Sequence, residues 1–271
     1  MSRIADAFES AKAAGKVALI PYLTAGDPSA DRTVELAGVL QDCGADLMEL
    51  GVPFSDPLAD GAINQRSAIR ALAKGMNLSG VLDVASRIRR KRSIPIILFT
   101  YFNPVHKMGV LEFAARARDA GVDGVLATDL PVEEGEDYRR VVDAAGMEAI
   151  FLAAPTTGPA RIQSIGEATG TFVYYVSRTG VTGEQKLLPG EVKDKVVEIQ
   201  RLTGKKVAVG FGVSRREHVE EVAGFADGVV IGSTLMRVVE EAGEGDSLPE
   251  RLENRFRELL PRERHRRMGK E

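Results

Sequence analysis

The 271-residue sequence holds a single cysteine, Cys43, so no disulfide can form within the chain, and a reducing cytosol is the compartment expected for it. Tryptophan is absent, which counts against a glycosidase. The three histidines, His106, His218 and His265, lie too far apart for any short metal-binding motif, and no metal site is expected. No apolar run approaches the roughly 20 residues of a membrane span. The opening "MSRIADAFESAKAAGK" has no continuous apolar stretch and reads as a short amphipathic helix, not as a signal peptide. A formal net charge of −3 gives no general attraction to nucleic acid. The fingerprint G-x-G-x-x-G of an open dinucleotide-binding sheet is also missing after the first apolar run, where "TAGDPS" stands instead.

What is present is a regular alternation. Eight short β-rich runs occur: "KVALIPYLTAG" (16–26), "DLMELGVPF" (46–54), "IPIILFTYFN" (94–103), "DGVLATDLP" (123–131), "EAIFLAAPTT" (148–157), "TFVYYVSRTG" (171–180), "KVAVGFGVS" (206–214) and "DGVVIGST" (227–234). Most are apolar without strict alternation, as parallel strands covered on both sides should be. Helical patterns separate them. In "DPSADRTVELAGVLQDCG" (27–44), Ser29 or Asp31 can cap the helix and Gly44 can end it. "AGVDGV" and "CGADLM" repeat one helix–Gly–Asp–strand junction. The reading is one α/β domain over residues 1–271, a (β/α)8 TIM barrel with extra helices. The basic tail from about residue 261 is expected to fray, and the run "RIRRKR" (87–92) to be a solvated helix end.

The spacing is uneven: long stretches follow the second and the sixth runs, at the end of a barrel where chemistry takes place. "GVPFSDPLADGAINQRS" and "SRTGVTGEQKLL" are rich in Gly, Pro or small polar residues and read as lids. Small Gly-containing turns follow runs six ("TGVTGE"), seven ("GFGVS") and eight ("GST"), and the last opens a helix. Backbone N–H groups and a helix N-terminus converging there suit a phosphate. Glu49 stands inside the apolar run Leu47–Leu50, and Asp60 in the loop beyond it. A carboxylate in a buried strand must be paired, protonated or used, and no Lys or Arg is close in sequence. Tyr22, Phe99, Tyr101, Tyr174 and Phe211 fall near strand ends, a lining for a flat apolar group beside a phosphate. These residues by themselves leave several readings open, among them a sugar-phosphate isomerase or epimerase, a two-carboxylate glycosidase and a non-catalytic partner subunit.

The segments "LMELGVPFSDPLADG", "LFTYFNP", "VSRTGVTG", "VGFGVS" and "VIGST", in this order, resemble the tryptophan synthase alpha chain family over about residues 3–260. The resemblance implies a (β/α)8 barrel that cleaves indole-3-glycerol phosphate to indole and glyceraldehyde 3-phosphate without a cofactor. It also implies an α2β2 assembly with a pyridoxal-phosphate beta chain. By the same resemblance Glu49 is the acid/base and Asp60 the lid carboxylate. Tyr22, Tyr101, Tyr174, Thr182 and Phe211 would contact the substrate, with Tyr22 replacing a phenylalanine of many members. Gly183, Gly212, Gly232 and Ser233 would hold its phosphate. Asp60 is expected to stay ionised because its loop is polar.

Overall fold

The computed structural model describes residues 2–177, 189–210 and 212–262. Its strands are β1 (Ala18–Thr24), β2 (Met48–Gly51), β3 (Ile96–Thr100), β4 (Gly124–Ala127), β5 (Glu148–Ile150), β6 (Leu152–Ala153), β7 (Phe172–Val176), β8 (Lys206–Gly210) and β9 (Gly228–Ile231). All pair in parallel, in the order β5-β4-β3-β2-β1-β9-β8-β7-β6. β5 and β6 are two halves of one strand interrupted at Phe151. Tyr174 N–H donates to the Phe151 carbonyl at 3.1 Å, which carries the ladder across the gap. The expected eight barrel strands are therefore present, the fifth in two pieces, and each is shorter than its apolar run because the run continues into the loops.

The helices are α1 (Arg3–Ala13), α2 (Ala30–Asp42), α3 (Ala62–Ala73), α4 (Leu78–Arg89), α5 (Phe102–Met108), α6 (Val110–Asp119), α7 (Glu136–Ala144), α8 (Pro159–Ala168), α9 (Pro189–Thr203), α10 (Arg216–Ala223), α11 (Ser233–Ala242) and α12 (Leu248–Leu259). Ser29 caps α2 by accepting from Arg32 N–H at 3.2 Å, and Gly44 turns the chain out at φ 92°. The long stretch after β2 is only partly a loop: residues 52–61 lead into the additional helix α3. Of the lid expected after the sixth run, residues 178–188 lie outside the described residues. So does the tail from residue 263. Among the described residues no helix is long and apolar enough to cross a membrane.

Two apolar layers follow from the register. Inside the barrel, Ala18, Ile20, Leu47, Ile97, Leu126, Ile150, Phe172, Tyr174, Ala208 and Val230 pack together, and Ile4, Phe8 and Ala11 of α1 plug the N-terminal end. Gly124 makes room for this plug, since a Cβ there would lie 2.8 Å from Ile4 Cδ1. Outside, alternate strand residues such as Met48, Leu50 and Leu98 pack against the helices. This two-sided burial is why the runs read as continuously apolar.

The repeated Gly–Asp junction has a physical cause. Each Asp stands before a strand and accepts from a backbone N–H at the start of the preceding barrel strand, from its first or second residue. Asp46 takes Leu19 N–H at 2.8 Å, Asp123 takes Ile96 N–H at 2.8 Å, and Asp227 takes Val207 N–H at 2.9 Å. Asp123 also anchors Arg89, whose side chain is 17% exposed, at 2.5 Å. Arg92 pairs with Asp42 at 2.5 Å. The basic run is thus not simply a solvated helix end, because its arginines reach carboxylates on neighbouring elements. Replacing Asp123 by Ala removes a strand-end acceptor and strands a largely buried guanidinium. The expected loss is about 2–4 kcal/mol, read as a lowered urea midpoint at unchanged slope.

Candidate active site

Paired residues of parallel strands share a face. Glu49 of β2 is opposite Tyr22 on one side and Ile97 on the other, and Ile97 belongs to the barrel interior. Glu49 therefore points inward, at the end of the apolar core, and is 1% exposed. Neither of its carboxylate oxygens has a hydrogen-bond partner among the described residues. Burial alone raises its pKa to about 8, so at neutral pH it carries a proton.

Aromatic rings cover it. Tyr22 meets Phe99 edge-on with centroids 5.5 Å apart, and Phe99 lies 6.1 Å from Tyr174. The Tyr22 hydroxyl hydrogen-bonds with Thr24 Oγ1 at 3.2 Å. Its ring occupies the space over Gly51, where a Cβ would come within 2.2 Å of the hydroxyl. Burial raises the pKa of Tyr22 and of Tyr174 well above the usual tyrosine range. The charges of Asp60 and Glu49 both add to this at each ring, which brings the two carboxylates to one site.

Asp60 sits at the end of the loop after β2, half-buried. Tyr101 donates its hydroxyl hydrogen to Asp60 Oδ2 at 2.9 Å and accepts from Ala59 N–H at 2.9 Å. Phe54 stacks on the Tyr101 ring at 5.0 Å. Burial pushes Asp60 up to about 6, against the opposing hydrogen bonds from Tyr101 and Asn64. The loop, expected to be simply polar, folds over the barrel mouth and takes the Asp60 carboxylate partly out of water. It is still mostly ionised at pH 7, whereas Glu49 is mostly protonated.

On the other side of β1 from Glu49, after β9, Gly232 caps α11 and Ser233 begins it. Gly232 lies against Tyr22, a Cβ there being 3.6 Å from that of Tyr22. Gly212 turns the chain after β8 at φ 62°, a conformation that favours glycine. The Thr234 hydroxyl donates to the Val213 carbonyl, which fastens this turn to the start of α11. The structure thus brings Glu49, Asp60, Tyr22, Tyr101, Tyr174, Gly212, Gly232 and Ser233 to one end of the barrel. Thr182, Gly183 and Phe211 lie outside the described residues.

Sequence reading missed Phe54, Asn64 and Gln65. Nothing in the chain marks them, because each acts through a loop whose path is fixed only by folding. Gly51 was legible in principle: two residues beyond Glu49 it shares the inner face, and a strand spends a glycine where something large comes close.

The family model described as the tryptophan synthase alpha chain matches residues 8–261. The tryptophan synthase alpha chain of Burkholderia thailandensis is 48% identical over 251 residues, covering 92% of this chain and 93% of that one. That of Solibacter usitatus is 45% identical over 259 residues, covering 96% and 97%. Among solved structures, the alpha subunit from Legionella pneumophila superposes with a TM-score of 0.89 at 34% identity, covering 98% and 99%. A chain of the tryptophan synthase a2b2 complex from Pyrococcus furiosus gives 0.84 at 42% identity, covering 90% and 97%. With a fold and a sequence that agree over nearly its whole length, this chain belongs to the tryptophan synthase alpha chain family.

Proposed function

We infer that this mouth performs a lyase reaction, the retro-aldol cleavage of indole-3-glycerol phosphate to indole and glyceraldehyde 3-phosphate. The observation that carries the reading is the buried, unpartnered carboxyl of Glu49 beneath an aromatic wall. Such a group is protonated at neutral pH and has nothing to do in the resting chain except give that proton away.

Cleavage needs the indole ring protonated at C3, which makes the ring an indoleninium cation. Glu49 supplies this proton. The carboxylate left behind takes the proton of the hydroxyl on the side-chain carbon bonded to C3. That carbon becomes the aldehyde, the C3–carbon bond breaks, and its electron pair restores the indole ring. Glu49 ends as it began, so no net proton is consumed. Asp60, charged and held by Tyr101, accepts a hydrogen bond from the indole N–H and stabilises the cation. Tyr22, Tyr174 and Phe99 enclose the ring. Backbone N–H groups at Gly212, Gly232 and Ser233 take the phosphate at the positive end of α11. Thr182, Gly183 and Phe211 are assigned to the same site by the family resemblance.

By analogy with the Pyrococcus furiosus a2b2 complex, the chain works with a pyridoxal-phosphate beta chain in an α2β2 assembly. Leu58 and Leu111, 72% and 76% exposed on segments following β2 and β3, offer apolar surface consistent with such a partner. A cytoplasmic location is in keeping with the one buried, unoxidised cysteine.

Glu49→Gln should abolish indole release while the substrate analogue indole propanol phosphate still binds with nearly unchanged affinity. Near-normal turnover would sink the assignment. Asp60→Asn should lower kcat by roughly 10²–10³, the usual loss for one electrostatic stabiliser. The pH profile of kcat/KM follows from the two shifts. Glu49 must hold its proton, so activity falls as pH rises through about 8. Asp60 must be charged, so activity falls as pH drops through about 6, and this acid limb should vanish in Asp60→Asn.

A further inference from the structure

Helix α3 carries a basic stripe, Arg66, Arg70 and Lys74, one residue per turn. It faces an acidic pair, Glu240 near the end of α11 and Glu244 just beyond. Arg66 binds Glu240 through Nε at 2.6 Å and Nη2 at 2.8 Å. Lys74 pairs with Glu244 and donates to the Pro28 carbonyl at 2.7 Å. Arg70 stands at the centre. It grips Asp27, which is 2% exposed in the turn after β1, through Nε at 3.0 Å and Nη2 at 2.7 Å. Its remaining branch donates to Glu240 at 2.8 Å. Ser67 completes the site with a 2.6 Å hydrogen bond to Asp27. One guanidinium thus joins three elements: the β1 turn, the helix after the Asp60 loop, and the helix that begins at Gly232 and Ser233.

The first turns of α3 continue this connection into the loop. Gln65 donates to the Asp60 carbonyl at 2.9 Å and to that of Pro57 at 3.4 Å. The loop is tethered on its other side to Tyr101, through Ala59 N–H on the hydroxyl and the hydroxyl on the Asp60 carboxylate. Where α3 sits therefore sets, together with Tyr101, where the Asp60 carboxylate sits relative to Glu49 and to the start of α11.

Resting on the lyase reading above, we propose that Arg70 is a positioning residue for Asp60: by clamping α3 between Asp27 and Glu240 it sets the separation between the lid carboxylate and the anion-binding end of α11. Two carboxylates and one planar fork make this geometry specific in a way a lysine cannot copy.

The test compares the full chain with its Arg70→Gln, Arg70→Lys and Glu240→Gln variants by amide hydrogen exchange and by steady-state turnover. Exchange at Ala59 N–H should accelerate roughly tenfold in Arg70→Gln, while Val52 N–H, bonded to the Phe99 carbonyl at the strand end, keeps its protection. kcat should fall roughly tenfold with KM changed less than about threefold, and Arg70→Lys should recover part of the loss. In an Asp60→Asn background, Arg70→Gln should cost less than about twofold more, because the group it positions has already been disabled. Glu240→Gln leaves Asp27 paired, should fold whatever becomes of Arg70→Gln, and should give the same pattern at smaller size. Equal acceleration at Ala59 and Val52, or a turnover loss that multiplies in full with that of Asp60→Asn, would overturn the proposal. The exchange measurement does not depend on the reaction. Absence of indole release from the unaltered chain would therefore count against the lyase reading alone, and Ala59 would still decide the role of Arg70.

Discussion

The structure turns on one unfavourable arrangement: a carboxyl group facing inward from a parallel strand, with no donor among the described residues to meet it. In water Glu49 would be ionised at neutral pH. At the end of the barrel core it keeps its proton, because solvation is lost and no cation among the described residues replaces it. The surrounding residues serve that condition. Ile97 and Leu47 close the space below it, Tyr22 lies beside it over Gly51, and Phe99 and Tyr174 continue the wall. An arginine or lysine anywhere in this ring would ionise the group and remove its ability to donate.

The second carboxylate shows how environment separates two residues of the same chemistry. Asp60 is also lifted by burial, but hydrogen bonds from Tyr101, just after β3, and from Asn64 of α3 favour the charged form. The result is a pair whose pKa values straddle neutral pH, one acid and one anion, separated by an aromatic-walled mouth. The barrel holds the first on a strand and the second on a loop, so only the second depends on how the loop is braced. The ionic seam between α3 and α11 is the brace that the structure provides.

At the other end of the barrel the same residue types do purely structural work. Asp46, Asp123 and Asp227 each accept an N–H at the start of a neighbouring strand, and α1 plugs the bore. Here carboxylates meet backbone donors and arginines, so they are satisfied and ordinary. The contrast with Glu49 separates an aspartate that stabilises a strand end from a glutamate available for chemistry. Residue type alone does not distinguish them.

Much of this was legible in the chain. Apolar runs of strand length at near-regular intervals dictate a parallel sheet covered on both faces, since only that topology hides such strands from water. The oddity of Glu49 was visible because a charge inside an apolar run breaks the pattern, and the glycines at the proposed phosphate site because small residues cluster where backbone must come close. The split of the fifth strand at Phe151, the helix α3 inside what read as a long loop, and the partners of Arg89 and Arg92 were not. Nor was the burial of Asp60, or the clamp of Arg70 on Asp27 and Glu240. Apolar runs of strand length and the turn residues between them are local properties of a sequence, fixed by the geometry of neighbouring residues. Solvation and ion pairing join residues far apart in the chain, and only the closed barrel brings those residues within reach of one another.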